Sequence, residues 1–142
     1  VAVDTLFPVA PGQCRRRVLM STPATRADYR DAAHALFATD GASVSMLRDS
    51  PGFVAQRVLA MIVSIGTEIA QQRIASPADI DTAVRIGLGY PLGPLAMGDA
   101  LGPATVLEIL ENMHRLTGDP RYRPGAWLRR RAKLGLSLLH ED

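Results

Sequence analysis

Few side chains in this sequence have the types and spacing that acid–base or metal chemistry requires. Its three histidines, His34, His114 and His140, lie far apart, and none stands in a motif that pairs a nucleophile with a base. A single cysteine, Cys14, excludes an internal disulfide, and no Cys/His cluster with metal-ligand spacing surrounds it. The sequence therefore predicts no catalytic residue and no metal site within this chain.

A loop rich in glycine and proline is the strongest local motif. It contains Gly87, Gly89, Pro91, Gly93 and Pro94. A phosphate-binding glycine loop leaves a strand and enters a helix, whereas these glycines follow a predicted helix. The two prolines also lack the backbone N–H groups that a phosphate would need. We expect a rigid turn that packs helices closely, and we predict no cofactor-binding residue here.

Arginines occur in two runs, at 15–17 and 129–131, but the charge balance gives little support to a nucleic-acid partner. The net charge is +2, and 21% of the residues are charged. Two capped helices joined by glycines are compatible with a helix-turn-helix, yet their connection is too long and too rich in proline. We expect both arginine runs to lie on solvated faces. No apolar run approaches the roughly 20 residues of a membrane span, so we predict neither nucleic acid nor membrane as a partner.

The longest predicted helix begins near residue 50 and sets the architecture. Ser50 is a good N-cap, and Pro51 fits the first helical position, where its missing N–H costs nothing. Apolar residues then recur at steps of three and four as far as Ile69. Because they leave only a thin face for water, we predict that this helix is the centre of the domain. With 47% hydrophobic residues, the chain can fill a core around it.

Three further helices are predicted after the central one. They span about 77–86, 103–117 and 126–134, with a short element after residue 94. Ser76 and Asp79 should cap the first of them, and Gly87 and Gly89 should end it. Asp81 is predicted to be a buried or surface hydrogen-bond acceptor. Residues 48–142 are therefore predicted to be a helical domain.

Residues 1–47 have a different pattern. A short apolar run at 17–20 predicts a strand, and Thr25 is the expected N-cap of a helix that runs to about Thr39. Alternation of apolar and small polar residues at 42–47 predicts a second strand. Strand, helix and strand form one β-α-β unit. Because such a unit leaves strand edges unpaired, it should lean on another part of the protein.

Several residues of the helical region form a series whose order and spacing are informative. They are Asp49, Pro51, Gly52 and Phe53 before the long helix, Gln56 and Arg57 within it, Asp81 in the next helix, Gly87, Gly89, Pro91, Gly93 and Pro94 in the loop, and Asp99 after the loop. The series resembles the C-terminal helical domain of the 3-hydroxyacyl-CoA dehydrogenase family, over about residues 48–131. The implied fold is mainly α, a helical bundle of this type with a short N-terminal β-α-β extension. Apart from Gln56, we expect structural and packing roles for these residues, with Asp99 capping the next helix or anchoring the loop.

The resemblance implies NAD-dependent oxidation of a (3S)-3-hydroxyacyl-CoA to a 3-ketoacyl-CoA. Such a step belongs to the β-oxidation type of fatty acid or aromatic acid metabolism, and the series is most like the bacterial 3-hydroxybutyryl-CoA dehydrogenases. In that family the helical domain forms the dimer interface and one wall of the acyl pocket. NAD and the catalytic His and Glu lie in a separate nucleotide-binding domain. The expected partners are a second copy, that domain and an acyl-CoA substrate, whose phosphates are a second possible partner of the arginine runs.

Gln56 is the candidate that lies nearest to substrate. The resemblance places it where the family usually has an Asn whose amide sits near the substrate and the catalytic His. Gln keeps the donor and the acceptor but carries them one methylene further out, which can disturb a catalytic geometry. Two alternatives stay open at this point: a residue at the mouth of the acyl pocket, or a helix amide without a catalytic role.

The start of the sequence at Val1, without an initiator Met or a leader, is typical of a piece of a longer, cytoplasmic protein. Some bacterial family members carry a second helical domain after a reduced nucleotide-fold segment. Residues 1–47 would be that remnant or a linker, and 48–142 the helical dimerisation and substrate-wall domain. Taken alone, the chain should be catalytically silent. The alternative is a non-catalytic dimerisation module, which would need the same apolar helices.

Overall fold

The computed structural model describes residues 1–141, which form two compact units that divide between Phe53 and Val54. The first unit is a small sheet with one helix, and every regular element described in the second unit is a helix. The predicted fold class, mainly α with an N-terminal β-α-β extension, is confirmed. Within residues 1–141, none of the helices combines the length and the apolar character needed to cross a membrane.

The first unit is a three-stranded sheet with the order β1-β2-β3. Its elements are β1 (Ala2–Val3), β2 (Arg16–Ser21), α1 (Ala27–Phe37) and β3 (Ser43–Arg48). Strands β2 and β3 are parallel, with Leu19 opposite Met46, so α1 is the crossover of the predicted β-α-β unit. Strand β1 pairs antiparallel with β2. It was not predicted, because two residues are too few to show alternation.

The start of α1 differs from the predicted one. The N-cap position is Arg26, whose side chain makes no capping hydrogen bond. Thr25 was expected to be the cap, but its Oγ1 accepts a hydrogen bond from the Thr22 N–H at 3.0 Å. A hydroxyl that bonds to nearby backbone in this way stabilises a turn instead of a helix start. The turn leads the chain out of β2.

The second unit is built around one long helix, as predicted. Its elements are α2 (Val54–Gln71), α3 (Pro77–Leu88), α4 (Pro94–Leu101), α5 (Pro103–Thr117), a 3₁₀ turn (Pro120–Tyr122) and α6 (Ala126–Leu134). Helix α2 packs against α3, α4, α5 and α6. The core residues include Ala60, Val63, Ile80, Leu95, Val106, Leu110, Met113, Leu128 and Leu138. Burying these apolar side chains is the main contribution to the stability of the unit.

Helix α2 begins four residues later than the predicted N-cap. Gly52 has φ 71°, in the left-handed region, so no regular helix can run through it. Ser50 Oγ donates to the Gly52 carbonyl oxygen at 3.2 Å and does not cap a helix. The Ser50-Pro51-Gly52 segment is therefore a turn that precedes α2. The Ser-Pro pair fits both structures locally, which is why the pattern alone favoured a helix.

Helix α3 is capped at its two ends by the predicted residues Ser76 and Gly89, but the prediction for Gly87 was wrong. Ser76 Oγ accepts a hydrogen bond from the Asp79 N–H at 3.2 Å, as an N-cap does. Gly89, with φ 68°, ends the helix in the left-handed conformation. Gly87 was expected to help end it, but this residue lies within α3. A glycine on an exposed helix face is tolerated at a modest cost, so it need not mark an end.

Candidate functional site

The first two turns of α2 hold two residues of the predicted series, Gln56 and Arg57. Arg57 Nη2 donates to the Tyr122 hydroxyl at 2.9 Å, and its guanidinium lies 5.7 Å from the centre of that ring. Tyr122 is buried in the core. Arg57 therefore fastens the start of α2 to the 3₁₀ turn.

Gln56 is half-buried at the N-terminal end of α2. Val63 and Thr67 follow it by seven and eleven residues, spacings that put all three side chains on one face of a helix. Val63 and Thr67 are fully buried, so this is the face that α2 turns to the core. The amide of Gln56 thus lies at the end of the core face of α2. Its role at an acyl pocket stays a prediction.

The opposite face of α2 carries apolar side chains that are exposed in the chain. Val54, Val58 and Ile65 are 59%, 52% and 57% exposed, and their spacing places them along one line. We call these three residues the α2 stripe. Beside Ile65 runs a groove of about 620 Å³ between α2 and the segment 120–126, also lined by Met61 and Ile69. Charged side chains, among them Glu68, Arg121 and Arg123, line the same groove, so the exposed apolar surface is that of the α2 stripe and its neighbours.

The loop 89–94 is held by a carboxylate from α3. Asp81 is 8% exposed, and its two carboxylate oxygens accept hydrogen bonds from the N–H groups of Leu95 and Ala96, each at 2.8 Å. A Cβ atom on Gly93 would lie within 2.2–2.4 Å of Asp81 atoms, so only glycine allows this approach. The first N–H groups of α4, which a phosphate would require, are already bonded to Asp81. The loop thus brings α3 and α4 close together.

Asp99 fastens the C-terminal segment. Its Oδ1 accepts a hydrogen bond from the Leu138 N–H at 2.7 Å, and its Oδ2 accepts one from Ser137 Oγ. Helix α5 is preceded by Gly102 and has no side-chain cap, so the expectation that Asp99 caps the next helix is wrong. Leu138 is fully buried. This contact was not predicted, since Leu138 lies beyond α6, where no helical period remains.

The ionisable side chains with shifted pKa values take part in ion pairs or in hydrogen bonds within turns. Arg17 Nη1 and Nη2 donate to the two carboxylate oxygens of Asp40, and this pairing holds the pKa of the Asp40 carboxyl well below its usual range. The Arg121 N–H lowers the pKa of Asp119 in the same sense. His114 Nδ1 lies 3.1 Å from the Asp119 carbonyl oxygen. Among residues 1–141, no group of three or more His, Cys, Asp or Glu side chains could hold a metal ion.

The residues of the predicted series therefore lie in different parts of the structure and do not form one site. Arg57 lies at the start of α2 with Gln56, whereas Asp81 and Gly93 lie at the α3–α4 junction and Asp99 at the C-terminal segment. The segment before α2 contains an exposed Asp49, a half-buried Pro51 and a buried Phe53. Pro91 is exposed in its loop, and Pro94 begins α4. Arg57, Asp81, Gly93 and Asp99 make the packing contacts described above, and a substrate role for Gln56 stays a prediction.

Comparison with known proteins gives consistent matches. Residues 52–137 match the family model described as 3-hydroxyacyl-CoA dehydrogenase, C-terminal domain. The 3-hydroxyadipyl-CoA dehydrogenase of Escherichia coli (strain K12) is 45% identical over 94 residues, which are 66% of this chain and 20% of that protein. The probable 3-hydroxybutyryl-CoA dehydrogenase of Bacillus subtilis (strain 168) is 37% identical over 95 residues, 67% of this chain and 33% of that protein. The chain thus spans a fifth to a third of these curated relatives.

A solved structure extends the likeness. The crystal structure of 3-hydroxybutyryl-CoA dehydrogenase from Escherichia coli K12 substr. MG1655 matches with a TM-score of 0.78 and 36% identity. The match covers 84% of this chain and 25% of that chain. Residues 52–142 alone are too few to make up the 84% of the chain that this match covers. The match therefore takes in part of the first unit as well as the helices.

Proposed function

Because the chain belongs to the 3-hydroxyacyl-CoA dehydrogenase family through its C-terminal domain, we propose that it is part of an NAD-dependent (3S)-3-hydroxyacyl-CoA dehydrogenase. The match of residues 52–137 to the family model carries this proposal. The chain would supply the dimer interface and one wall of the acyl pocket. NAD and the catalytic His and Glu would be bound or carried outside it, in the nucleotide-binding domain of the parent protein. The isolated chain would then be inactive.

The placement that we favour is a second copy of the helical domain in a longer, cytoplasmic parent. The matched segments of the two relatives are nearly equal in length. They make up 20% of the Escherichia coli protein and 33% of the Bacillus subtilis protein, so the Escherichia coli protein is more than one and a half times as long. A longer parent has room for two helical domains. The small β-α-β sheet of the first unit is too short for a complete dinucleotide-binding fold. Residues 1–47 would be the reduced remnant, and 48–142 the dimerisation and substrate-wall domain.

The experiment that tests the catalytic role uses Gln56→Asn in the full-length parent. An acyl-pocket residue should change turnover by about tenfold or more, because an amide displaced by one methylene alters the alignment of reacting groups. Gln72→Asn, which shortens an exposed amide just beyond the other end of α2, is the matched control. If turnover of the Gln56→Asn enzyme equals that of the control, the chain is a silent copy or a wall that does not touch substrate.

The alternative is a dimerisation module without a catalytic role, and it uses the same α2 stripe as the dimer interface of the first proposal. A helix that exposes Val54, Val58 and Ile65 along one line has an apolar face that a second copy would cover. Ile65→Glu should convert a dimer into monomers, measured by light scattering at micromolar concentration. Ile86→Glu is the control, because Ile86 is 80% exposed on α3 and lies outside the stripe. A wild-type chain that is monomeric at high micromolar concentration would contradict both proposals on this point.

A further inference from the structure

Helix α2 ends in an unusual way for this chain. Helices α3, α5 and α6 end at Gly89, Gly118 and Gly135, which have φ angles of 68°, 68° and 66°. After α2 the equivalent left-handed position is Arg73, with φ 54°. Among residues 1–141, Arg73 is the only residue other than glycine with a positive φ. Left-handed backbone is unfavourable for a residue with a Cβ, so this position would be more stable with glycine.

Backbone hydrogen bonds at the end of α2 hold Arg73 in its left-handed conformation. The Arg73 N–H bonds to the Ala70 carbonyl oxygen at 3.0 Å, and the Ile74 N–H bonds to the Ile69 carbonyl oxygen at 3.2 Å. These two bonds are those of a Schellman motif. A backbone outlier held in place by its surroundings is a reason to look for a use of its side chain.

The side chain of Arg73 lies at two adjoining cavities of about 390 and 440 Å³. Both cavities are lined by Arg73, Trp127 and Arg131, and Arg130 lines the second. Arg131 is 6% exposed, and its guanidinium lies 3.5 Å from the centre of a Trp127 ring. Its Nη2 donates to the His140 carbonyl oxygen at 3.1 Å. Stacking and hydrogen bonding thus fix one guanidinium at the junction of the cavities.

Among the described residues that line the two cavities, positively charged side chains outnumber negatively charged ones. Arg73, Arg130 and Arg131 contribute three guanidinium groups, and Glu141 is the one acidic residue among the described lining residues. Cations also suit the carbonyl end of α2, but an arginine within the last turn would serve that purpose without a left-handed backbone. Clustered planar guanidinium groups match the oxygens of a phosphate, to which they donate paired hydrogen bonds.

We propose that Arg73, Arg130 and Arg131, together with Trp127, form a binding site for the phosphate group of a small phosphorylated ligand. The cavities lie within the helical unit, so the site does not depend on NAD, on a second copy or on the dehydrogenase reaction. Two sources share this chemistry. One is the nucleotide end of a coenzyme A thioester, and the other is a free phosphorylated metabolite.

The test is calorimetric titration of the 142-residue chain at low salt with inorganic pyrophosphate and with adenosine 3′,5′-bisphosphate. Trp127 is the only tryptophan in the sequence, so its fluorescence reports on this site as a second measurement. We expect saturable binding with a Kd of about 1 mM or below, weakening as salt screens the charges. Bisphosphate binding about tenfold tighter than pyrophosphate assigns the nucleotide end of coenzyme A, and equal affinities assign the phosphate alone. Absence of saturable heat for both ligands up to about 10 mM overturns the proposal.

Three variants separate a specific site from general positive charge. Arg73→Gln and Arg130→Gln should each weaken binding about tenfold, as loss of a charge-assisted hydrogen bond does. Lys133→Gln removes an exposed charge from α6 that lines neither cavity, and it should leave affinity unchanged. Equal weakening by all three substitutions would show diffuse electrostatic attraction and would overturn the site.

Arg73→Gly gives the sharpest result, because it should move stability and affinity in opposite directions. Relief of the left-handed backbone should raise Tm by about 2 °C. Loss of the guanidinium should weaken phosphate binding about tenfold. A variant that gains stability and keeps wild-type affinity would show that Arg73 has no part in ligand binding, and the proposal would fail.

Discussion

Removing the carboxylate of Asp81 should loosen the joint between α3 and α4. This side chain is the cap of α4, although it belongs to another helix. Gly93 occupies the N-cap position and offers no side chain, and the N–H groups of Leu95 and Ala96 both bond to Asp81 at 2.8 Å. Leu95 is fully buried, so water cannot replace the lost acceptor at its N–H without opening the core.

The expected loss of stability follows from these two bonds. A hydrogen bond to a charged acceptor contributes about 1.5–3 kcal/mol, and a negative charge at a helix N-terminus adds about 0.3–1 kcal/mol. The two bonds share one carboxylate, and the half-buried Ala96 can regain water. We therefore expect Asp81→Ala to lower the free energy of unfolding by about 3 kcal/mol. Asp81→Asn keeps one oxygen acceptor and should cost about half as much.

Urea denaturation followed by circular dichroism at helix wavelengths measures the change. Asp79→Ala is the matched control, since Asp79 lies on the same helix but is exposed and bonds only within its own cap. Its loss should cost about 1 kcal/mol. If Asp81→Ala costs no more than Asp79→Ala, the carboxylate does not hold α4 and the proposed role of the loop is wrong. Hydrogen exchange at Leu95 and Ala96 should accelerate in the Asp81 variants alone.

Two further changes test other parts of the fold. Gly98→Val should destabilise the helical unit by about 1–3 kcal/mol, measured by urea denaturation. The reason is that a Cβ atom at Gly98 would lie 2.4 Å from Leu138 Cδ1 and 2.7 Å from Val63 Cγ1. Unchanged stability would mean that the C-terminal segment is not packed on α4. Asp40→Asn tests the ion pair with Arg17. Because the folded state depresses the pKa of Asp40, its contribution is present above the carboxyl's unfolded pKa of about 3.9 and is lost as pH falls below it. The variant should be less stable than wild type at pH 7 and should lose this part of the acid dependence, whereas parallel stability profiles from pH 7 to pH 2 would refute the pairing.

The elements that were predicted correctly are those whose ends are determined by neighbouring residues. Ser76 with Asp79 and the left-handed Gly89 fixed α3 to within a few residues, because caps depend on neighbouring backbone. The motif series also predicted the family, which the match of residues 52–137 confirms. Ser50 misled for the same local reason: a Ser-Pro pair precedes both turns and helices, and the left-handed Gly52 decided the outcome.

Long-range contacts could not be predicted in this way. Nothing in the helical period shows that Asp81 bonds to α4 or that Asp99 bonds to Leu138, since the partners are separated by 14 to 39 residues in sequence. A buried carboxylate opposite a glycine is decided by how closely two helices approach. The same limit applies to Arg73, whose sequence context shows no sign of a left-handed backbone or of Trp127 nearby.

The geometry of α2 also decides how the two proposed roles of the helical unit can be separated. Gln56 shares the core face with Val63 and Thr67, whereas Ile65 belongs to the α2 stripe on the opposite face. A charge at Ile65 therefore acts on association without a contact to the Gln56 amide. If Ile65→Glu abolishes both the dimer and turnover of the parent protein, catalysis requires the assembled pair. If turnover survives in the monomer, catalysis does not require association through the α2 stripe, and Gln56→Asn alone tests whether the helical domain takes part in it.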